Sequence, residues 1–213
     1  HLLDKGEKLI VNDLDKSAVD EVKNYGATEG TYQDIAKNCP IIFTMLPNGK
    51  IVEDVLLKEN GLFNYLQEGQ IICDLSSINP KEVIFINKTL FQKKVFFLDS
   101  PVSGGESKAL EGTLSMMVGG DAESFEVVKP LLLKMGSSAV LIGKSGSGSI
   151  AKLTNQIIVN MNIATVAEAF VLAMKSGLNV ANVFQAIRGG TAGSNVLETK
   201  FPMMLERNFE PGG

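Results

Sequence analysis

Lys152, Asn155 and Gln156 are spaced i, i+3 and i+4, so a helix puts all three on one face. A Lys so placed has two readings. Lining a cleft between domains, a partly desolvated amine is a useful proton donor or base. On a surface it lays its stem along apolar neighbours and does no chemistry. Gly146 and Gly148, just upstream, would let a flat ring approach the backbone closely. The second candidate is Asp99-Ser100-Pro101-Val102-Ser103-Gly104-Gly105-Glu106. There the Ser103 hydroxyl, followed by Gly104 and Gly105 at a helix start, offers backbone N–H groups and a positive dipole end, which suit a carboxylate or phosphate. A plain tight turn would use the same residues. Asp13 closes an apolar run, where an acid can accept both ribose hydroxyls of a dinucleotide or serve the helix that Asp15 and Lys16 begin. Leu46-Pro47-Asn48 and Ser76-Ser77 close two further runs, and each suits a cofactor wall as well as a turn and a cap.

Composition narrows the chemistry. The single His is residue 1, which excludes a Ser-His-Asp triad and His-based zinc sites unless a chain terminus reacts. Acid–base work therefore falls to Lys, Asp, Glu or Tyr. Lys and Arg total 20 against 24 Asp and Glu, and the Lys residues are scattered, so no nucleic-acid partner is expected. Trp is absent, which argues against a base-stacking platform. Cys39 and Cys73 lack metal-ligand spacing, and buried free thiols in a reducing, cytoplasmic compartment are expected. No apolar run reaches the ~18 residues of a membrane span, so no membrane partner is expected.

Short β-rich runs alternate with amphipathic helical runs over the first 143 residues. Strands are expected at 9–13, 41–45, 71–75, 95–98, 113–118 and 139–142. Helices are expected at 16–25, 32–38, 51–57, 80–91 and 122–135. This cadence predicts an α/β fold with a doubly wound parallel sheet covered on both faces. Beyond Gly146 the texture becomes all-α. One long helix over 150–176, apolar nearly all round and hence expected to be buried, is followed by helices at 181–187 and 196–207. The boundary gives domains of 1–145 and 146–213.

Together these segments resemble the β-hydroxyacid dehydrogenase family, which includes 3-hydroxyisobutyrate and 6-phosphogluconate dehydrogenases. Asp99 to Gly105 is similar to its substrate motif, and Gly146-Ser147-Gly148-Ser149-Ile150-Ala151-Lys152-Leu153-Thr154-Asn155-Gln156 to its catalytic motif. Thr113 to Gly120 and Ala186 to Ser194 are closer still to the branch that reduces 2-hydroxy-3-oxopropionate (tartronate semialdehyde). The resemblance implies a Rossmann-like NAD(P)-binding domain and a hydroxyacid or aldehyde-acid substrate, with a homo-oligomer in the full-length parent. Lys152 would be the proton donor. Ser103, Gly104 and Gly105 would hold the substrate carboxylate, with Asn155 and Gln156 also touching substrate. Asp13 would take the ribose, and Leu46, Pro47, Ser77 and Gly146 would line the cofactor site. Asp13 followed by Leu14, with no Arg nearby, favours NADH over NADPH. A related short 3-hydroxyacid is the alternative substrate.

The family opens with a strand and a glycine-rich fingerprint, and His1-Leu2-Leu3 resembles the end of the helix that follows them. At Phe209-Glu210-Pro211-Gly212-Gly213 the family continues into further helices. The expectation is thus a sheet missing its first strand and a partial all-α domain, with a catalytically silent interaction module as the rival outcome. With that central strand absent, the strands at 9–12 and 41–45 should not pair with each other.

Overall fold

The computed structural model describes residues 1–209 and divides into two compact units, His1–Lys152 and a second beginning at Leu153. The expected tail at 210–213 lies outside the described residues. The first unit holds strands β1 (Ile10–Val11), β2 (Thr28–Glu29), β3 (Ile41–Thr44), β4 (Ile71–Asp74), β5 (Phe96–Asp99), β6 (Val102–Ser103), β7 (Leu114–Gly119) and β8 (Gly136–Gly143). Its helices are α1 (Lys16–Asn24), α2 (Tyr32–Asn38), α3 (Gly49–Leu57), α4 (Pro80–Phe91), α5 (Gly105–Glu111) and α6 (Ala122–Met135). Capping explains several starts. Thr31 and Asn79 each close a full capping box, with Asp34 and Glu82 as its third-position acids.

Six strands form one sheet in the order β3-β4-β5-β7-β6, with β8 on β7. β3, β4 and β5 are parallel, ending together at the register Thr44↔Asp74↔Asp99. The sheet is mixed rather than wholly parallel, because β7 runs antiparallel to β5 and β6. The chain leaves β5 through Pro101, makes the short β6–α5 excursion and returns, which leaves no crossover long enough for a parallel partner. Among the described residues β1 pairs only with β2, in a separate two-stranded parallel sheet. As the sheet order requires, β1 and β3 are not neighbours.

Both faces of the large sheet are covered. Ile42, Ile72 and Phe97 pack with Val52, Leu56, Val83, Ile86 and Leu90 of α3 and α4 on one face. Cys73, Leu98, Met116 and Val118 meet Phe125, Val128 and Leu132 of α6 on the other. The alternation along each strand sends successive side chains to opposite cores. Both cysteines are free; Cys73 is buried, whereas Cys39 is only half-buried at the end of α2.

Helix α7 (Ser147–Lys175) begins three residues earlier than its apolar pattern predicts, so Lys152 lies in its second turn. The compact units divide inside α7 because its first turn is fastened to the sheet. The second unit contains most of α7 with α8 (Val180–Ile187) and α9 (Asn195–Leu205). Its core is aromatic: the Phe201 ring sits 4.1 Å from Phe170 and 4.5 Å from Phe184. Two expectations fail at α7. It is not buried: Ile157, Met161 and Leu172 are each more than 60% exposed, because few of its apolar residues find partners beyond the Phe170 and Ala173 region. It is also long and apolar enough, by length and composition, to cross a membrane, since the Asn and Thr that interrupt its apolar runs leave it apolar on average.

Candidate active site

The carboxyl ends of β3, β4 and β5 are held by two buried aspartates. Asp74 Oδ1 accepts from Thr44 Oγ1 at 2.8 Å and from Ser76 Oγ at 2.5 Å. Ser76 Oγ in turn accepts from Leu46 N at 2.9 Å, so Asp74 fixes the loop after β3. Burial pushes the Asp74 carboxyl above the usual carboxylate range, against the hydrogen bonds from Ser76 and Thr44. On β5, Asp99 accepts from Gly146 N and Ser149 N, each at 2.8 Å. Its carboxyl is likewise raised by burial, against those backbone bonds. Sequence reading assigned neither aspartate a role of its own; the available signal was an acid at the end of an apolar run with Ser one or two residues on.

Past this edge the candidate residues emerge. Leu46 is half-buried, while Pro47 and Ser77 are exposed. Ser103 is half-buried and pairs across the sheet with Ser115. After it, Gly104 (φ 143°) and Gly105 (φ 69°) take conformations that only glycine adopts freely, and α5 starts with no side-chain cap. The half-buried Lys152 ends the same compact unit, and burial holds its amine below the ordinary lysine range.

Asp13 is exposed, and its Oδ1 accepts from Asp15 N at 2.9 Å; Asp15 itself caps α1 through Ser17 N. The nearby cation Lys16 is engaged with Glu29 Oε1 at 2.6 Å. Gly146 is buried at φ 90°, and Gly148 is buried as well. A Cβ on Gly148 would come within 2.4 Å of the carbonyl oxygens of Asp99 and Met117, so this glycine lets the helix rest on the sheet. Asn155 and Gln156 belong to the second unit, where Asn155 Nδ2 donates to Gln156 Oε1 at 3.0 Å. Among the described residues no group of three or more His, Cys, Asp or Glu side chains is placed to hold a metal.

The NAD-binding domain of 6-phosphogluconate dehydrogenase matches residues 1–143, and the NAD-binding domain of NADP-dependent 3-hydroxyisobutyrate dehydrogenase matches 146–213. The chain belongs to the β-hydroxyacid dehydrogenase family of NAD(P)-dependent oxidoreductases. Within that family it is 43% identical over 194 residues to the 2-hydroxy-3-oxopropionate reductase of Escherichia coli, covering 91% of this chain and 66% of the relative. It therefore spans just under two thirds of that relative's length. It is 37% identical to an uncharacterized oxidoreductase of Bacillus subtilis, covering 100% of this chain and 74% of the other. The solved 3-hydroxyisobutyrate dehydrogenase of Mycobacterium tuberculosis with L-serine superposes with a TM-score of 0.87 at 26% identity, covering 99% of this chain and 74% of that one.

The residues present fit the family's dinucleotide. Asp13, Pro47 and Ser77 are all solvent-accessible and follow the carboxyl ends of parallel strands, where open α/β sheets bind such ligands.

Proposed function

We propose that the protein reduces 2-hydroxy-3-oxopropionate to glycerate with NADH, Lys152 giving the proton to the aldehyde oxygen. The observation that carries this reading is Lys152 itself. Its amine is half-buried, and that burial makes it more acidic than an ordinary lysine, the direction that suits a proton donor. The bound dinucleotide supplies the hydride. In this reading the remaining tasks fall to the chain. Ser103 and the backbone N–H groups of Gly104 and Gly105 hold the substrate carboxylate, Asn155 and Gln156 are further substrate-binding residues, and Asp13 holds the ribose. Leu46, Pro47, Ser77 and Gly146 line the dinucleotide. NADH is favoured because Lys16, the cation beside Asp13, is already paired with Glu29. The two free cysteines support a cytoplasmic setting, and the exposed apolar residues of α7 support a homo-oligomer.

A second reading, a related short 3-hydroxyacid as substrate, is supported by a 34% identical relative, a probable 3-hydroxyisobutyrate dehydrogenase of Dictyostelium discoideum. A substrate panel on the full-length gene product separates the two. The aldehyde acid should exceed 3-hydroxyisobutyrate in kcat/KM, and uncharged hydroxyaldehydes should lose most of it. Lys152→Ala should cut turnover by roughly 10²–10⁴ while NADH binding holds. Lys152→Arg should rescue poorly, since a guanidinium is too weak an acid. Near-normal turnover in Lys152→Ala overturns the assignment.

A further inference from the structure

α7 cannot cap itself. Its first intrahelical bond runs from Ile150 N to Gly146 O at 3.0 Å, so Gly146 is the residue that should supply a capping side chain, and it has none. A capping box normally satisfies two amides: the cap residue's own N–H and that of the third helical residue. Here those are Gly146 N and Ser149 N. Both are taken by one carboxylate from a distant strand, Asp99 Oδ1 and Oδ2 accepting at 2.8 Å each, across 47 and 50 residues of sequence. Asp99 is 1% exposed. The helix start is pressed against it: a Cβ on Gly119 would meet Asp99 Oδ1 at 2.5 Å and Gly148 N at 2.7 Å. Lys152 follows six residues after Gly146, about 9 Å along the helix at ~1.5 Å per residue.

We propose that Asp99 is a positioning residue: by capping α7 from β5 with both carboxylate oxygens, it sets Lys152 at a fixed distance from the Ser103–Gly105 segment that continues the same strand. This rests on the reductase reading. A helix is stiff, so fixing its first turn fixes the amine in its second. A strand-borne anchor ties the proton donor to the same piece of chain that would hold the substrate carboxylate.

Asp99→Asn tests this on the full-length protein, since an amide keeps the shape but has only one acceptor oxygen and turns an N–H toward the other donor. Amide hydrogen exchange of Gly146 or Ser149 should quicken at least tenfold, while that of Ile72 and Leu98 is unchanged. kcat should fall about 10–100-fold with the dissociation constant of NADH unchanged. Asp99→Glu should not rescue kcat, because a longer side chain meets Gly119 and Gly148. Unchanged kcat in folded Asp99→Asn overturns the proposal. If that variant does not fold, the wild type decides. First-turn amides lack intrahelical acceptors, so Gly146 and Ser149 should be protected at least 100-fold only if Asp99 holds them; free exchange at both overturns it. A wild type without turnover on any short aldehyde acid or hydroxyacid counts against the reductase reading, and the exchange result then judges the anchor separately.

Discussion

The Lys152 amine is half-buried, and that burial holds its pKa below the ordinary lysine range. That depression has a signed consequence. The native state sheds the Lys152 proton at a lower pH than the unfolded chain does. Between those two pKa values the unfolded chain therefore binds more protons, and stability rises with pH. Lys152→Met removes this contribution, so urea unfolding of wild type and variant across the alkaline range should show the wild type gaining on the variant as pH rises. A constant gap would mean that the amine is not desolvated. The same acidity predicts that reductive turnover falls as pH climbs through the Lys152 pKa, below the ordinary lysine range. Asp99 was legible only as an acid ending an apolar run: its partners lie about fifty residues away, and no local pattern encodes a cap supplied by so distant a strand.

Elements were legible where one period ran long enough. α4 and α6 begin and end where their apolar spacing and caps say, and β3, β4 and β5 follow their apolar runs to within a residue. β2 and β6, two residues each, carry too few positions for any period to show, and α5 is marked in the sequence only at its start, by Gly104 and Gly105. At α7 composition and environment part: the apolar pattern predicts burial, and most of its apolar surface is exposed. The glycines of its first turn are the element's real signature. Gly148→Ala drives a Cβ into two backbone carbonyls, which cannot swing aside, so the helix start must lift from β5 and β7. Calorimetry should show a marked loss of stability in the first unit, on the order of 1–3 kcal/mol as for other overpacked sites. Gly189→Ala, where nothing lies within 4 Å of the new methyl and φ is not positive, should be near neutral. Equal melting of the two variants would show that α7 does not rest on the sheet as described.

At the scale of the whole molecule, sheet order carries information that no single strand does. The α/β class followed from the cadence of elements. The mixed strand directions did not, because they depend on the short return through β6 and α5. The separation of β1 from β3 has a local signature in the backbone. Ile71 N donates to Pro40 O at 3.0 Å and Leu75 N to Thr44 O at 2.7 Å, so the even-numbered residues of β3 direct their backbone groups toward β4. In a parallel ladder the intervening residues face the other way, so the N–H and C=O groups of Ile41 and Phe43 point to the edge that no described strand covers. On β1, Thr28 N donates to Leu9 O and Gly30 N to Val11 O, which leaves Ile10 in the same situation. Such edges recruit other strands and promote aggregation. Hydrogen exchange on the 213-residue chain should therefore alternate along β3, with Ile42 and Thr44 slow and Ile41 and Phe43 faster by tenfold or more. The contrast should fade as concentration rises and edges begin to pair. Uniform protection of all four amides at low concentration would mean that the β3 edge is already hydrogen-bonded, and that the two sheets are not separate.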